Sequence, residues 1–121
     1  MDFALMLVAN DTSVTGEERD ALSDQIVLQG CRYAVCAGHE CGTWDDSIDW
    51  AHLGTDPHFN PPDDRMVMTT WHENWPLVDV VEFFRLWTAF GNFTPRKFFV
   101  LFLGESQGKE DEVRRAVLQF F

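Results

Sequence analysis

The sequence predicts an α/β fold: a three-layer, Rossmann-like or flavodoxin-like single domain built on a four-stranded, mainly parallel sheet. Four short apolar runs alternate with helical patterns along the 121 residues, and such alternation is typical of a parallel sheet covered on both faces. Each run breaks off into a polar cluster, and polar clusters at strand ends gather at one edge of a parallel sheet. The length suits one domain spanning residues 1–121.

The first β-α-β unit is predicted from its apolar runs and its caps. Phe3–Ala9 is short and almost wholly apolar, which indicates a strand buried on both faces. Thr15 and Glu18 form a capping box that opens a helix, and Gly30 is placed to end it. Cys31–Ala37 is the second strand. The connection is long enough for a right-handed crossover, so we expect the two strands to be parallel.

Residues 38–65 form the least regular stretch. We predict a short helix capped by Asp45 or Asp46 and ended by Gly54. Its inward side chains are expected to be Ile48, Ala51 and Trp50. Residues 55–64 contain three prolines and read as a loop.

The third strand, Arg65–Thr70, is followed by an unusually apolar helix. Asn74 is predicted to cap this helix, Pro76 lies in its first turn, and Gly91 ends it after Phe90. Its apolar residues cover nearly the whole circumference, so it needs cover on more than one side. We expect either the 38–65 segment or a second subunit, in a homo-oligomer, to supply that cover.

Phe98–Leu103 is the most hydrophobic strand and is predicted to be central in the sheet. The last helix, expected from about Lys109, carries apolar residues at helical spacing: Val113, Ala116, Val117 and Phe120. The strand order that we predict is 2-1-3-4.

Composition narrows the class of partner and the location. Twenty acidic residues face nine basic ones, a formal charge of −11, which disfavours nucleic acid and anionic membranes and suits a basic protein partner. The odd count of three cysteines and the absence of a leader-like start predict a cytoplasmic protein with reduced thiols. Plain solubility explains the charge equally well.

The polar clusters at the strand ends contain the ligand types of metal sites. His39, Cys41, His72 and Asp11 are the candidate ligands, because imidazole, thiolate and carboxylate bind metal ions. Asp11 with Glu40 and Glu73 would instead suit Mg²⁺. The spacings match no standard zinc motif, and a rim of hydrogen-bonded loop residues is the alternative reading.

The same residues are the candidates for catalysis. His72 or His39 would act as the general acid or base, Cys41 as the nucleophile, and Glu73 as the orienting carboxylate. Cys31 and Cys36 are expected to be buried thiols, too far apart on one strand for a disulfide.

The sequence does not fulfil two motifs, one for a catalytic nucleophile and one for a dinucleotide cofactor. Gly104–Gly108 matches G-x-S-x-G, but no histidine follows Ser106, so a glycine-flexed turn is the better reading. No G-x-G-x-x-G follows the first strand, and we therefore reject a nicotinamide cofactor and expect none.

Aromatic residues flank the same loops. Trp44, Trp71 and Trp75, together with Glu40, are predicted to form a binding surface, because such side chains make contact platforms. The alternative is that the tryptophans roof the core.

Three motifs resemble a family of short bacterial proteins that is known only as a domain of unknown function. They are Gly30-Cys31-x-Tyr33, then Gly38-x-x-Cys41-x-x-Trp44, then Met68-Thr69-Thr70-Trp71-His72-Glu73. The resemblance covers about residues 3–103 and implies a bacterial or phage source and a stand-alone domain. It supplies no activity, cofactor or catalytic residue.

The function that these observations favour is a small, acidic, cytoplasmic protein-binding module without enzymatic activity. An immunity-type or anti-defence-type inhibitor is one concrete form. The alternative is a small enzyme or metal-binding protein that uses the His, Cys and Glu cluster at the carboxyl edge of the sheet.

Overall fold

A computed structural model describes residues 1–10, 13–105 and 107–121. Its four strands and four helices confirm the predicted α/β class, and all strand pairs are parallel. The elements are β1 (Phe3–Ala9), α1 (Gly16–Leu28), β2 (Cys31–Gly38), α2 (Cys41–Leu53), β3 (Met68–Trp71), α3 (Leu77–Leu86), β4 (Phe98–Leu103) and α4 (Gln107–Phe120). Within the described ranges, no helix combines the length and the apolar character needed to cross a membrane.

The sheet order is β3-β2-β1-β4, so the predicted order 2-1-3-4 is wrong. The chain moves in one direction from β1 to β2 to β3, which places α1 and α2 on the same face when crossovers are right-handed. It then returns past β1 to β4, so α3 and α4 lie on the opposite face. This reversal is decided by packing between distant segments, which strand-by-strand patterns do not encode.

Alternate residues of β1 supply two separate cores, one on each face of the sheet. Leu5 and Leu7 pack with Ile48 of α2, whereas Met6 and Val8 pack with Phe84 of α3. All seven residues of β1 are buried. Full burial on both faces explains why β1 reads as a continuous apolar run rather than an alternating one.

The first helix begins and ends as predicted. The Glu18 N–H donates to Thr15 Oγ1 and the Thr15 N–H donates to Glu18 Oε1, each at 3.1 Å. Gly30 follows the helix with φ of +111°, a conformation that glycine adopts without strain.

The second helix begins earlier than predicted. It starts at Cys41, after Glu40 in the left-handed conformation, so neither Asp45 nor Asp46 caps it. Asp45 lies one turn inside the helix and is buried, whereas Trp50 lies on the outer face with 67% of its surface exposed. The prediction that Trp50 turns inward is therefore wrong.

The third helix is shorter than predicted and differently covered. It runs over Leu77–Leu86 after Pro76, and Asn74 has a positive φ rather than a capping role. The helix packs on β1, β2 and α4, on the face opposite α2. Val78 and Leu86 remain exposed, so the 38–65 segment does not supply the expected cover.

The two outer strands differ from expectation. β3 begins at Met68, because residues Asp63–Arg65 form a short 3₁₀ turn rather than leading into the strand. β4 has the predicted bounds but lies at an edge of the sheet, beside β1 alone. The prediction of a central β4 is wrong, even though its six residues are all apolar.

Candidate functional site

The carboxyl ends of the strands meet at one edge of the sheet, because all strands are parallel. The His39 N–H donates to the Ala9 carbonyl at 2.7 Å, and the His72 N–H donates to the Cys36 carbonyl at 2.9 Å. These bonds join the loops after β2 and β3 to their neighbouring strands. The loops therefore form a continuous rim, while Asp11 and Ser106 lie outside the described residues.

A close approach at Gly38 shapes this rim. Gly38 has φ of +90°, and a Cβ at this position would lie 2.2 Å from the Ala9 carbonyl oxygen. No larger residue fits without moving the strand end. Glu40 then adopts φ of +53° and turns the chain directly into α2, which carries Cys41 into the core.

Cys41 is buried among the side chains on the α2 face. Burial raises the pKa of its thiol, and the nearby Glu73 charge raises it further, against hydrogen bonds from the backbone of His72 and Gly42. At neutral pH Cys41 is a protonated thiol, which is the unreactive form.

His72 is buried on the other face, within an aromatic cluster. Its ring lies 4.3 Å from the Trp75 ring and 4.6 Å from the Phe83 ring, centroid to centroid. Nε2 lies 2.9 Å from Thr70 Oγ1, while Nδ1 is buried with no hydrogen-bond partner among the described residues. Burial lowers the pKa of His72, so the ring is neutral at pH 7.

The predicted cluster of histidine, cysteine and glutamate does not assemble around one point. Cys41 packs on the α2 face of the sheet and His72 packs against Phe83 of α3. His39 is half-exposed, with Nε2 3.8 Å from Glu40 Oε1. Among the described residues, His39, Cys41 and His72 do not bring their ligand atoms together as a metal site requires.

A group of three aspartates on α2 has the closest arrangement of potential ligand atoms in the described chain. One carboxylate oxygen from each of Asp45, Asp46 and Asp49 lies within 4.8 Å of the others, and carboxylate oxygens are the ligands of hard divalent cations. Burial and the neighbouring Asp49 charge raise the pKa of Asp45 to about 6. Protonation of Asp45 would relieve the same repulsion without a cation.

Four predicted residues, Cys41 among them, line a groove at the start of α2. Glu40, Glu73 and Trp71 surround this Cys41 groove of about 320 Å³, together with Asp46. The indole of Trp71 forms one wall and is exposed. The groove therefore combines one aromatic face with carboxylates and carries negative charge.

A second groove lies beside α3, and we name it the tryptophan groove. About 450 Å³ of space is lined by Trp75 and Trp87 together with Asp79 and Glu82. Phe83 also lines the groove, and Trp75 and Trp87 are 47% and 66% exposed. Tryptophan faces and carboxylates both attract cations.

The two grooves adjoin through the segment 71–75, which supplies residues to both. Trp44, by contrast, is only 4% exposed and packs in the core on the α2 face. Of the predicted surface residues, Trp71, Trp75 and Glu40 are accessible to a partner and Trp44 is not.

Sequence reasoning missed the part of the site on α3. Asp79 and Glu82 are three residues apart, which places them on one face of a helix. Together with Arg85 they form the narrow polar stripe of an otherwise apolar segment, and that stripe is the available signal. Trp87 follows the last turn of α3, and its position depends on where the helix ends.

The comparisons with known proteins give a family and no activity. The model of the family described as Domain of unknown function (DUF7684) matches residues 1–120. No curated protein and no solved structure matches the chain.

Proposed function

The chain belongs to the DUF7684 family, and we propose that it is a non-enzymatic binding module that recognises a basic segment of a partner protein. The tryptophan groove is the observation that carries this proposal, because it places two exposed indoles beside two carboxylates. A lysine or arginine side chain of the partner enters between Trp75 and Trp87. Its charge pairs with Asp79 and Glu82.

The groove is suited to binding because one of its walls is held in place. The Trp75 ring lies edge-on to His72 at 4.3 Å and edge-on to Phe83 at 6.3 Å. A side chain that is already ordered loses little entropy on binding, so more of the contact energy is retained. Aromatic side chains in such positions are typical of binding hot spots.

The Cys41 groove extends the same surface. Glu40, Glu73 and Asp46 would receive a second basic side chain of the partner next to the Trp71 face. The net charge of −11 speeds the approach of a basic protein. An immunity-type or anti-defence-type inhibitor, which covers a basic site on its target, is the concrete form that we propose for a cytoplasmic setting.

The alternative, catalysis or metal binding by the His and Cys cluster, has less support. Cys41 and His72 pack on opposite faces, whereas a nucleophile and its base must reach hydrogen-bond distance. The raised pKa of the thiol also disfavours a thiolate.

The test measures binding of a hexa-arginine peptide by tryptophan fluorescence, with hexa-glutamate as the negative peptide. The groove variant is the double substitution Asp79→Asn and Glu82→Gln. The matched control is Asp63→Asn with Asp64→Asn, which removes the same charge from an exposed turn far along the chain. We expect at least tenfold weaker binding for the groove variant and less than twofold for the control. If both variants bind the hexa-arginine peptide equally weakly, the interaction depends on nonspecific charge, and the proposal is contradicted.

Trp87→Ala with Trp50→Ala as its control tests the aromatic part. Both indoles are about two-thirds exposed, but only Trp87 lines the tryptophan groove. We expect the peptide affinity to fall for Trp87→Ala alone. Unchanged affinity in Trp87→Ala would exclude this groove as the binding site.

A further inference from the structure

The outer edge of β4 has the character of a strand that is buried within a sheet. Its sequence, FFVLFL, contains no charge, proline or glycine, although natural edge strands are usually short, charged or interrupted. In the described chain no strand pairs with this edge. β3, at the opposite edge, has only four residues, two of which are threonines.

The backbone of β4 leaves three residues with outward hydrogen-bonding groups. The Ala4 N–H donates to the Lys97 carbonyl and the Asn10 N–H donates to the Leu103 carbonyl, so odd-numbered residues face β1. Since successive residues of a strand alternate, the N–H and C=O groups of Phe98, Val100 and Phe102 point away from the sheet.

We propose that β4 pairs with β4 of a second copy of this chain, antiparallel, to give a continuous eight-stranded sheet in a symmetric dimer. This inference is independent of the binding function proposed above. The partner at this edge is a second copy of the chain, because the two ends of the strand carry opposite charges.

The charges at the strand ends select the antiparallel direction. Arg96 and Lys97 precede β4 and Glu105 follows it. In an antiparallel pair centred on Leu101, the end of β4 that Lys97 precedes lies beside the end that Glu105 of the other copy follows, after the turn at Gly104. A parallel pair would instead place Lys97 beside Lys97, and opposed like charges destabilise strand pairs.

The same register satisfies the backbone. A pair centred on Leu101 places Val100 opposite Phe102 of the second copy, and both have outward backbone groups. Such residues form the hydrogen-bonded pairs of an antiparallel ladder, whereas Leu101 faces its own counterpart in a non-hydrogen-bonded pair.

Helix α4 supplies a second, apolar contact. Val100 and Phe102 of β4, with Val117 and Leu118 of α4, line a groove of about 470 Å³ along the open edge. Leu118 is 86% exposed beside it. A two-fold axis perpendicular to the sheet keeps both α4 helices on one face, so that Leu118 of each copy faces the groove of the other.

A cysteine cross-link tests the register. Leu101→Cys places two thiols on the two-fold axis, where the Cα atoms of a non-hydrogen-bonded pair lie about 4.5 Å apart, within the range for a disulfide. Leu103→Cys is the control, because Leu103 would face Phe99 of the second copy. We expect a covalent dimer from mild oxidation of Leu101→Cys and none from Leu103→Cys. The native cysteines are buried and do not compete.

Charge reversal tests the same pairing without touching the core, with the mass measured by light scattering over a concentration series. Lys97→Glu and Glu105→Lys are each expected to weaken dimerisation at least fivefold, and the double variant is expected to restore it. A nonspecific effect of net charge would instead weaken the dimer in Lys97→Glu and strengthen it in Glu105→Lys, because the two single reversals change the net charge in opposite directions.

Val100→Pro removes an outward N–H that β1 does not use, and proline is tolerated at such edge positions. We expect a monomer with an unchanged circular dichroism spectrum. If Val100→Pro does not fold, the charge-reversal variants provide the test of the β4 pairing. A wild-type protein that stays monomeric up to millimolar concentration overturns the proposal. So does a dimer that is indifferent to the charge reversals and gives no Leu101→Cys cross-link.

Discussion

The imidazole of His72 meets the indole of Trp75 edge-on, with ring centroids 4.3 Å apart and ring planes at 76°. This contact joins the buried part of the rim to the tryptophan groove. The His72 ring is neutral in the folded protein, since burial lowers its pKa. A proton on His72 would place a charge inside an aromatic cluster, which costs free energy.

Stability is therefore expected to fall in mild acid. The unfolded chain binds a proton at His72 near pH 6.5, while the folded chain resists it until a lower pH. In that window the unfolded state holds more protons than the folded state, so the free energy of unfolding rises with pH. The stability that depends on a neutral His72 is therefore lost progressively as pH falls below about 6.5. Urea unfolding at pH 5, 6 and 7 should show a smaller acid loss in His72→Phe than in the wild type. An identical loss in both proteins would assign the effect to other groups, such as His52, whose pKa is also lowered by burial.

Asp45 is expected to act in the opposite direction. Its pKa is raised to about 6 from 3.8, so between these values the folded state holds more protons than the unfolded state. The free energy of unfolding then declines as pH rises through this window, by up to about 3 kcal/mol at about 1.4 kcal/mol per pKa unit. Asp45→Asn should remove much of this decline and be more stable than the wild type at pH 7, as measured by urea unfolding.

The matched control for Asp45 is its exposed neighbour. Asp46→Asn removes the same charge one residue away, and we expect it to leave most of the pH dependence in place. A decline that is equally reduced in both variants would indicate general relief of negative charge rather than burial of Asp45.

The three thiols are expected to react slowly in the folded protein. Burial raises the pKa of Cys31 to about 12 and raises the pKa of Cys36 and Cys41 as well. Because only the thiolate attacks, a disulfide reagent should modify the native protein at least tenfold more slowly than free cysteine. In urea the rate should approach that of free cysteine. One native thiol that reacts at the free rate or faster would revive the nucleophile hypothesis for Cys41.

Gly38→Ala is expected to destabilise the protein by roughly 3 kcal/mol or more, because it combines a positive φ with a clash against the backbone. The clash is with the Ala9 carbonyl oxygen, 2.2 Å from the added Cβ. Gly108→Ala is the contrasting variant: it lies in the first turn of α4 with nothing within 4 Å of an added Cβ. We expect a gain of about 0.5 kcal/mol, because alanine restricts the unfolded chain. Thermal and urea unfolding measure both. A small loss of stability in Gly38→Ala would mean that the end of β1 at Ala9 moves to accommodate the added methyl group.

The position of a site residue was predictable only where residues close to it in sequence determine that position. The polar clusters after β2 and β3 were assigned to one edge of the sheet, and Trp71, Trp75, Glu40 and Glu73 do border grooves there. Whether His72 and Cys41 share one side of the sheet depends on the exact residue at which β3 ends and on the residue at which α2 begins. A shift of one residue moves a side chain to the other face.

The amino-acid sequence determined the α/β class, β1, β2 and β4, and the first helix with its caps, because these depend on apolar runs, capping side chains and glycines within a few residues of one another. Tertiary structure alone decided the strand order, the edge position of β4 and the burial of Trp44 and Asp45. The physical reason is that burying an apolar strand against one neighbouring strand releases about as much free energy as burying it against another. The residues of the strand therefore do not specify which neighbour it pairs with.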